Sequence, residues 1–379
     1  MIYRDIGKTG RRCSVIGLGC EHLDGKPYEQ VKETVDAALG VGINLLDVFM
    51  PGTEVRENIA KALGGRRDQV MLQGHIGSTT KNGQYNVSRD LPEVRRYFEE
   101  LLRLFGPIEF GMMFFIDSER DYSGVFDTGF AEYVLRLKKQ GDIGHIGFSS
   151  HNPEMAMRVI DTGLPELMLF SINLAFDLYP AETYVLEKLH QGLDGAAFRG
   201  LDPTRAALYK LCEQKGVGIT VMKTLGAGKL ISPAQTPFKQ PMTVAQCVHY
   251  ALTRPAVAAV MLGCQTGAEV RDAVRYLDMS DVERDYTPIL ETVPSDFRGS
   301  CVYCNHCLPC PAGIDIAAVN KYLDIARLDP KNVPPSVRAH YDALGHSAGD
   351  CTACRACETR CPFGVCVADN MAEAARIFG

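Results

Sequence analysis

Among its 379 residues the chain has no tryptophan. It also has no block of like charge and no apolar run of the roughly eighteen residues a membrane-spanning helix needs. Its 40 basic and 46 acidic residues leave a formal net charge of -6, spread along the chain. Without a basic stripe there is no electrostatic footprint for nucleic acid or an anionic bilayer. The opening MIYRDIGKTGRR lacks the continuous apolar core of a secretion signal, so a cytoplasmic protein is expected. A glycine-rich G-x-G-x-x-G turn is missing too. After the first strand-like run, GLGCEHL supplies only Gly17 and Gly19, which argues against a doubly wound dinucleotide-binding sheet.

What the chain does have is cysteine. Eight of its 14 cysteines fall in two runs near the C-terminus. The first, CVYCNHCLPCP, places Cys301, Cys304, Cys307 and Cys310 at C-x2-C-x2-C-x2-C-P. The second, CTACRACETRCP, places Cys351, Cys354, Cys357 and Cys361 at C-x2-C-x2-C-x3-C-P. Three thiolates two residues apart can wrap one corner of an iron-sulfur cube, while the cysteine before the proline turns to the other cluster. Two [4Fe-4S] clusters are therefore expected, one on Cys301, Cys304, Cys307 and Cys361, the other on Cys351, Cys354, Cys357 and Cys310. The first run is one residue shorter than the usual spacing, so the crossing is better specified for the second. Two tetrahedral zinc sites are the alternative chemistry for eight thiolates, although zinc pairs normally lie farther apart in sequence. Cys13, Cys20, Cys212, Cys247, Cys264 and Cys366 read as free thiols in a reducing compartment.

Upstream, apolar runs at 15–19, 43–48, 70–76, 108–116, 145–149, 167–172, 219–223 and 257–262 alternate with amphipathic stretches. The latter fall at 29–39, 54–63, 91–105, 130–139, 205–215, 244–252 and 269–277. Nearly uniform apolarity means strands buried on both faces, and eight of them separated by helices predict an α/β fold closed as a (β/α)8 barrel. A hairpin turning at Gly7–Lys8–Thr9–Gly10 precedes it. The expected division is a barrel over 1–294 and a small, mainly helical, ferredoxin-like domain over 295–379. In such barrels chemistry sits where strands end at the C-terminal face. That rule selects Cys20, Glu21, His22, Asp47, His75, Asp117, Glu119, Ser149, Ser150, His151, Asn173 and Lys223. Among these, Asp47 with His75 would make an acid-base unit. A mononuclear metal site on His22, Asp47, His75 and His151 is a further arrangement these strand ends would allow.

The stretches YRDIGKTGRRCSVIGLG, VGINLLDV, GDIGHIGFSSHN, GVGITVMKTLGAGKL and CLPCPAGIDI with CPFG resemble the aldo-keto reductase family, in its branch with a C-terminal dicluster domain. The resemblance implies a (β/α)8 barrel, NAD(P)H binding and hydride transfer to a carbonyl by an Asp, Tyr, Lys, His set. Only the Asp is kept, as Asp47. The Tyr position falls on Gly52, the Lys on His75 and the His on Phe114. For the cofactor, Ser149, Ser150, Lys223, Leu225, Gly226, Gly228 and Gly263 match, while the nicotinamide-binding Gln falls on Leu169. A flavin would suit the retained phosphate-holding half as well as NAD(P)H does.

The resulting expectation is an iron-sulfur oxidoreductase whose clusters pass single electrons to or from a small-molecule substrate in the barrel, with a redox protein as a possible partner. It would be a poor conventional NADPH-dependent carbonyl reductase. The alternatives are a non-redox lyase or hydrolase built on Asp47 and His75 with structural clusters, and an inactive electron-transfer subunit. Substrate, electron donor and oligomeric state are not encoded in any motif.

Overall fold

The structure is a computed structural model that describes residues 1–293 and 297–379. Its strands are β1 (Tyr3–Asp5), β2 (Arg12–Ser14), β3 (Ile16–Gly19), β4 (Leu45–Val48), β5 (Met71–Ile76), β6 (Ser78–Lys81), β7 (Gln84–Val87), β8 (Ile108–Met113), β9 (Ile143–Ser150), β10 (Leu167–Ser171), β11 (Gly218–Met222) and β12 (Val257–Leu262). Eight of them close a parallel barrel in the order β10-β11-β12-β3-β4-β5-β8-β9. All eight expected strands are present, each within a few residues of its expected bounds. β4, β10 and β12 are buried along their whole length, as a sheet covered on both faces requires.

The chain folds into two compact units. The first holds residues 1–171, 217–224 and 258–278; the second holds 172–216, 225–257 and 279–379. The units interleave along the sequence, and the expected boundary at 294/295 falls outside the described residues.

In the first unit, Ile6, Cys13, Leu45, Phe110, Met112 and Leu169 share one buried apolar cluster, so the N-terminal hairpin β1-β2 contributes to the core. Gly218 lets this happen, because a Cβ there would lie 2.7 Å from Ile6 Cγ2. The hairpin β6-β7 directly follows β5 and was not expected. Its residues, STTK and QYNV, are polar and turn through Asn82 and Gly83, both at positive φ. Arg56, buried in the helix Thr53–Leu63, donates to the carbonyls of Met50 and Tyr97. Burial pushes its guanidinium down to about 10.

The second unit is largely helical. Buried Asp177 accepts from Arg205 Nε at 2.8 Å, Tyr209 Oη at 2.6 Å and Tyr250 Oη at 2.7 Å. The helix Pro203–Lys215 meets Ile316–Ala326 and Pro335–Asp342, where buried Glu213 accepts from His340 at 2.6 Å. The stretch 177–202 carries the helix Val185–Gln191. No helix among the described residues is long and apolar enough to cross a membrane.

Candidate active site and cysteine-lined pocket

Asp47 and His75 lie on the adjacent strands β4 and β5, whose register sets Asp47 beside Gln73. His75 Nε2 is 2.8 Å from Asp47 Oδ1, and Gln73 Nε2 donates to the same oxygen at 2.8 Å. Thr220 on β11 donates across the barrel to Gln73 Oε1 at 2.8 Å. The result is a buried polar line, Thr220 to Gln73 to Asp47 to His75, through an otherwise apolar interior. With Nε2 turned to Asp47, the second ring nitrogen, Nδ1, is buried and has no hydrogen-bond partner. An orphaned buried nitrogen costs about 1–3 kcal/mol, so such a group in a native fold asks for a reason.

Around the imidazole stand Phe114, edge-on at 5.3 Å, and Phe49, edge-on at 6.0 Å. Tyr85, carried by the β6-β7 hairpin, packs edge-on against Phe49 at 5.7 Å. Phe115 holds a positive φ of 58°, a strained state for an aromatic residue. Two side chains fix it there. Arg89 Nη2 donates to the Phe114 and Phe115 carbonyls at 2.8 and 2.9 Å, and Phe115 N donates to Ser149 Oγ at 2.9 Å. Burial pushes the Arg89 guanidinium down to about 10.

A second pair, Asp117 and His151, follows β8 and β9. Asp117 accepts from His151 Nδ1 at 2.9 Å, from His151 N at 2.6 Å and from Ser150 Oγ at 3.0 Å. Burial raises the Asp117 carboxyl, but the His151 charge and these donors outweigh it and hold it below its usual value.

The residues matched to a nicotinamide cofactor are differently engaged. Ser149 and Ser150 spend their hydroxyls on Phe115 N and on Ile116 and Asp117. Leu169 lies in the barrel core. Lys223, at φ 59°, has its amine 3.7 Å from Glu21. In the following turn, which belongs to the second unit, the amides of Gly228, Lys229 and Leu230 bond back to Leu225 and Gly226. After Gly263, the Gln265 amide donates to Glu269 at 2.7 Å. His22 lies where a Cβ at Gly263 would fall, and His151 is bound to Asp117, so the four-residue metal arrangement is not formed. Cys20 and Cys264 are buried and pushed up by burial, Cys264 to about 12, which makes them inert thiols.

In the second unit, the two cysteine runs share a pair of left-handed backbone positions near their starts. Tyr303 and Asn305 take positive φ of 61° and 60°; Ala353 and Arg355, at the matching offsets, take 55° and 57°. In each run, the amide two residues on points at the thiol: Tyr303 to Cys301 and His306 to Cys304, Ala353 to Cys351 and Ala356 to Cys354. Cys301, Cys304, Cys307 and Cys361 line one pocket, with Phe363 and Ile316 among its apolar walls. Arg360 brings Cys361 there, donating to the Cys307 and Pro309 carbonyls at 2.7 Å. Burial pushes Cys301 to about 12 and Cys304 to about 11, with the neighbouring thiols adding to both. The second run is more open: Cys354 is exposed and its thiol is lowered by the Ala356 amide. Among the described residues no three His, Cys, Asp or Glu side chains converge on a point for one ion. His306, set between two cysteines, is held by Asp285 at 2.7 Å.

The closed parallel barrel, with polar side chains at its strand ends, defines an α/β-barrel protein. The aldo/keto reductase family model matches residues 15–243, and the chain belongs to the aldo/keto reductase family. No curated protein matches. Among solved structures, the chain is similar to aldo-keto reductase AKR11C1 from Bacillus halodurans in its holo form, at 18% identity and TM-score 0.58, covering 77% of this chain and 96% of that one. It is also similar to a Pseudomonas aeruginosa chain described as an aldo-keto reductase, at 20% identity and TM-score 0.55, covering 72% and 93%. At these identities the likeness concerns the fold.

Proposed function

We propose that this member of the aldo/keto reductase family is an iron-sulfur oxidoreductase in which Asp47 and His75 handle the proton that accompanies electron transfer to a small molecule. One observation carries the reading. Cys361, from the second run, lines a single pocket with Cys301, Cys304 and Cys307 of the first, which is the crossed set that two [4Fe-4S] clusters require. A zinc ion would need sulfur atoms about 2.3 Å from one point, whereas four thiols spread around this pocket suit a larger inorganic core. Cys351, Cys354, Cys357 and Cys310 would hold the second cluster. When bound, such clusters supply single electrons and no proton chemistry.

The protein's own residues supply the rest. Asp47 fixes His75 through Nε2, and Gln73 with Thr220 fixes Asp47, so Nδ1 is the atom left to give or take a proton. Phe49 and Phe114 keep the imidazole dry, which strengthens its interaction with a developing charge. Ser149 and Ser150 are committed to the chain, and Glu269 holds the Gln265 amide. These contacts weigh against tight NAD(P)H binding and leave a flavin or direct single-electron delivery as the better-suited partners of this site.

Anaerobic protein is expected to hold about eight iron and eight sulfide per chain. Cys361→Ser should injure the cluster of the first run and Cys310→Ser that of the second. Two zinc and no sulfide would refute the reading. NADPH or NADH turnover of simple aldehydes at about 1 s⁻¹ or faster, surviving both cluster removal and His75→Ala, would refute the assignment of the proton-handling pair.

A further inference from the structure

Arg254, just past the helix Val244–Leu252, is a buried cation with no carboxylate of its own. Its Nη2 lies 2.5 Å from the Val302 carbonyl and 3.1 Å from both Tyr286 Oη and Thr253 Oγ1. The guanidinium stands over the rings of Tyr250 and Tyr303, at 4.4 and 5.0 Å. Its Nε is buried without a partner. Among the described residues it forms no ion pair. The carboxylate that bears on it, Asp177, is already held by Arg205, Tyr209 and Tyr250. A charge taken fully out of water is costly unless an opposite charge compensates it, so the fold has placed Arg254 where a negative charge is due.

The surroundings say which. Val302 separates Cys301 from Cys304, and Tyr286, which donates to the same Val302 carbonyl at 2.8 Å, lies within electrostatic reach of both thiols. Two other carboxylates bear on these cysteines, Asp324 on Cys301 and Asp285 on Cys304. Both are engaged, Asp324 by Tyr303 Oη and Arg327, Asp285 by His306 and Thr287.

We propose that Arg254 is the built-in counter-charge of the inorganic group held by Cys301, Cys304, Cys307 and Cys361, and that it raises that group's reduction potential. This rests on the cluster reading above. A four-thiolate cluster is a net anion whose negative charge grows by one on reduction, so a fixed cation in a dry site favours the reduced state. Arg254 acts through this field and through its grip on the Val302 carbonyl; it is a positioning residue and touches no substrate.

The test is a redox titration followed by electron paramagnetic resonance. It uses anaerobically purified wild type, Arg254→Met, Arg254→Gln and Arg254→Lys, with iron and sulfide measured on each sample. Cys361→Ser identifies the signal of the first run. The neutral variants are expected to shift the midpoint of that signal downward and leave the other signal in place, while Arg254→Lys stays nearer to wild type. In Arg254→Met, Val302 keeps its Tyr286 donor, so that carbonyl is not orphaned. If the neutral variants fail to load the first site while Arg254→Lys loads it, the counter-charge is needed for assembly and the assignment stands. Fully loaded neutral variants with unmoved midpoints would overturn it, as would Arg254→Lys shifting or failing as much as Arg254→Gln, since packing would then be the cause. Wild type without iron and sulfide would instead bring down the cluster reading, and Arg254's role with it.

Discussion

The barrel unit holds two buried Asp-His pairs, and their hydrogen bonding differs in kind. Asp47 meets His75 through one imidazole nitrogen and is braced only by side chains, Gln73 and, behind it, Thr220. Asp117 takes the His151 ring, the His151 backbone amide and the Ser150 hydroxyl, so its carboxylate ties the segment after β8 to the end of β9. One pair leaves a buried nitrogen unused; the other uses its carboxylate to fasten backbone. A fastened carboxylate stabilises a fold, whereas an unused nitrogen stabilises nothing and makes sense as a working atom.

The comparison breaks most clearly on activity. His75→Ala should lower anaerobic turnover of a carbonyl panel, driven by a reduced viologen, by about 10²- to 10⁴-fold, the usual contribution of a placed acid-base group. His151→Ala should change the same rate by less than about tenfold. Equal losses in the two variants would erase the distinction.

Much of this barrel could be read from the sequence, because strands buried on both faces are written as continuous apolar runs. The two cysteine runs stand out in the sequence as well, because their spacing is local. Gln73 and Thr220 carry no such signal: inside MLQGHI and GITVM a lone polar residue looks like an interruption, and only barrel closure brings β5 and β11 within 2.8 Å of each other's side chains. The Asp117–His151 clasp spans 34 residues with no spacing rule to announce it. The β6-β7 hairpin is hidden by its polarity, since STTK and QYNV carry no apolar run. Arg254 is invisible for a related reason. An arginine in sequence is presumed solvated, and its burial here depends on tyrosines at 250, 286 and 303 arriving from three elements.

On stability the order of the two pairs should reverse. Asp117→Ala strands the His151 backbone amide and the His151 ring donor, at a cost of about 3 kcal/mol in denaturant unfolding. It should leave turnover within about tenfold wherever the variant is folded. Gln73→Leu sits on the other side of the comparison. Asp47 keeps His75 but loses its brace, so the expected loss is about tenfold in rate, or about 1.4 kcal/mol in the barrier, with little loss of stability. A Gln73→Leu protein that unfolded readily while keeping full activity would mean that the Thr220-Gln73-Asp47 line is packing and not support for His75.

The smallest effect is on acid stability, and it isolates the clasp. The Asp117 carboxyl is buried, which raises it, but the His151 charge and the hydrogen bonds from His151 and Ser150 bring it below the ordinary carboxylate value. A carboxyl depressed in the folded state binds fewer protons there than in the unfolded chain. Its stabilising contribution is therefore complete above the unfolded value, near pH 4, and is lost as the pH falls through the folded value. Asp117→Asn removes this titration and keeps the shape. Unfolding of wild type and Asp117→Asn, followed by far-ultraviolet circular dichroism from about pH 6 to about pH 3, should show a constant gap above about pH 4 that narrows below it. Any acid-labile group would be lost from both proteins alike, so the difference reports Asp117. A gap that stayed constant to the acid end of this range would mean that His151 and Ser150 do not hold the carboxylate in solution, and the two Asp-His pairs would then lose the contrast on which the assignment of His75 depends.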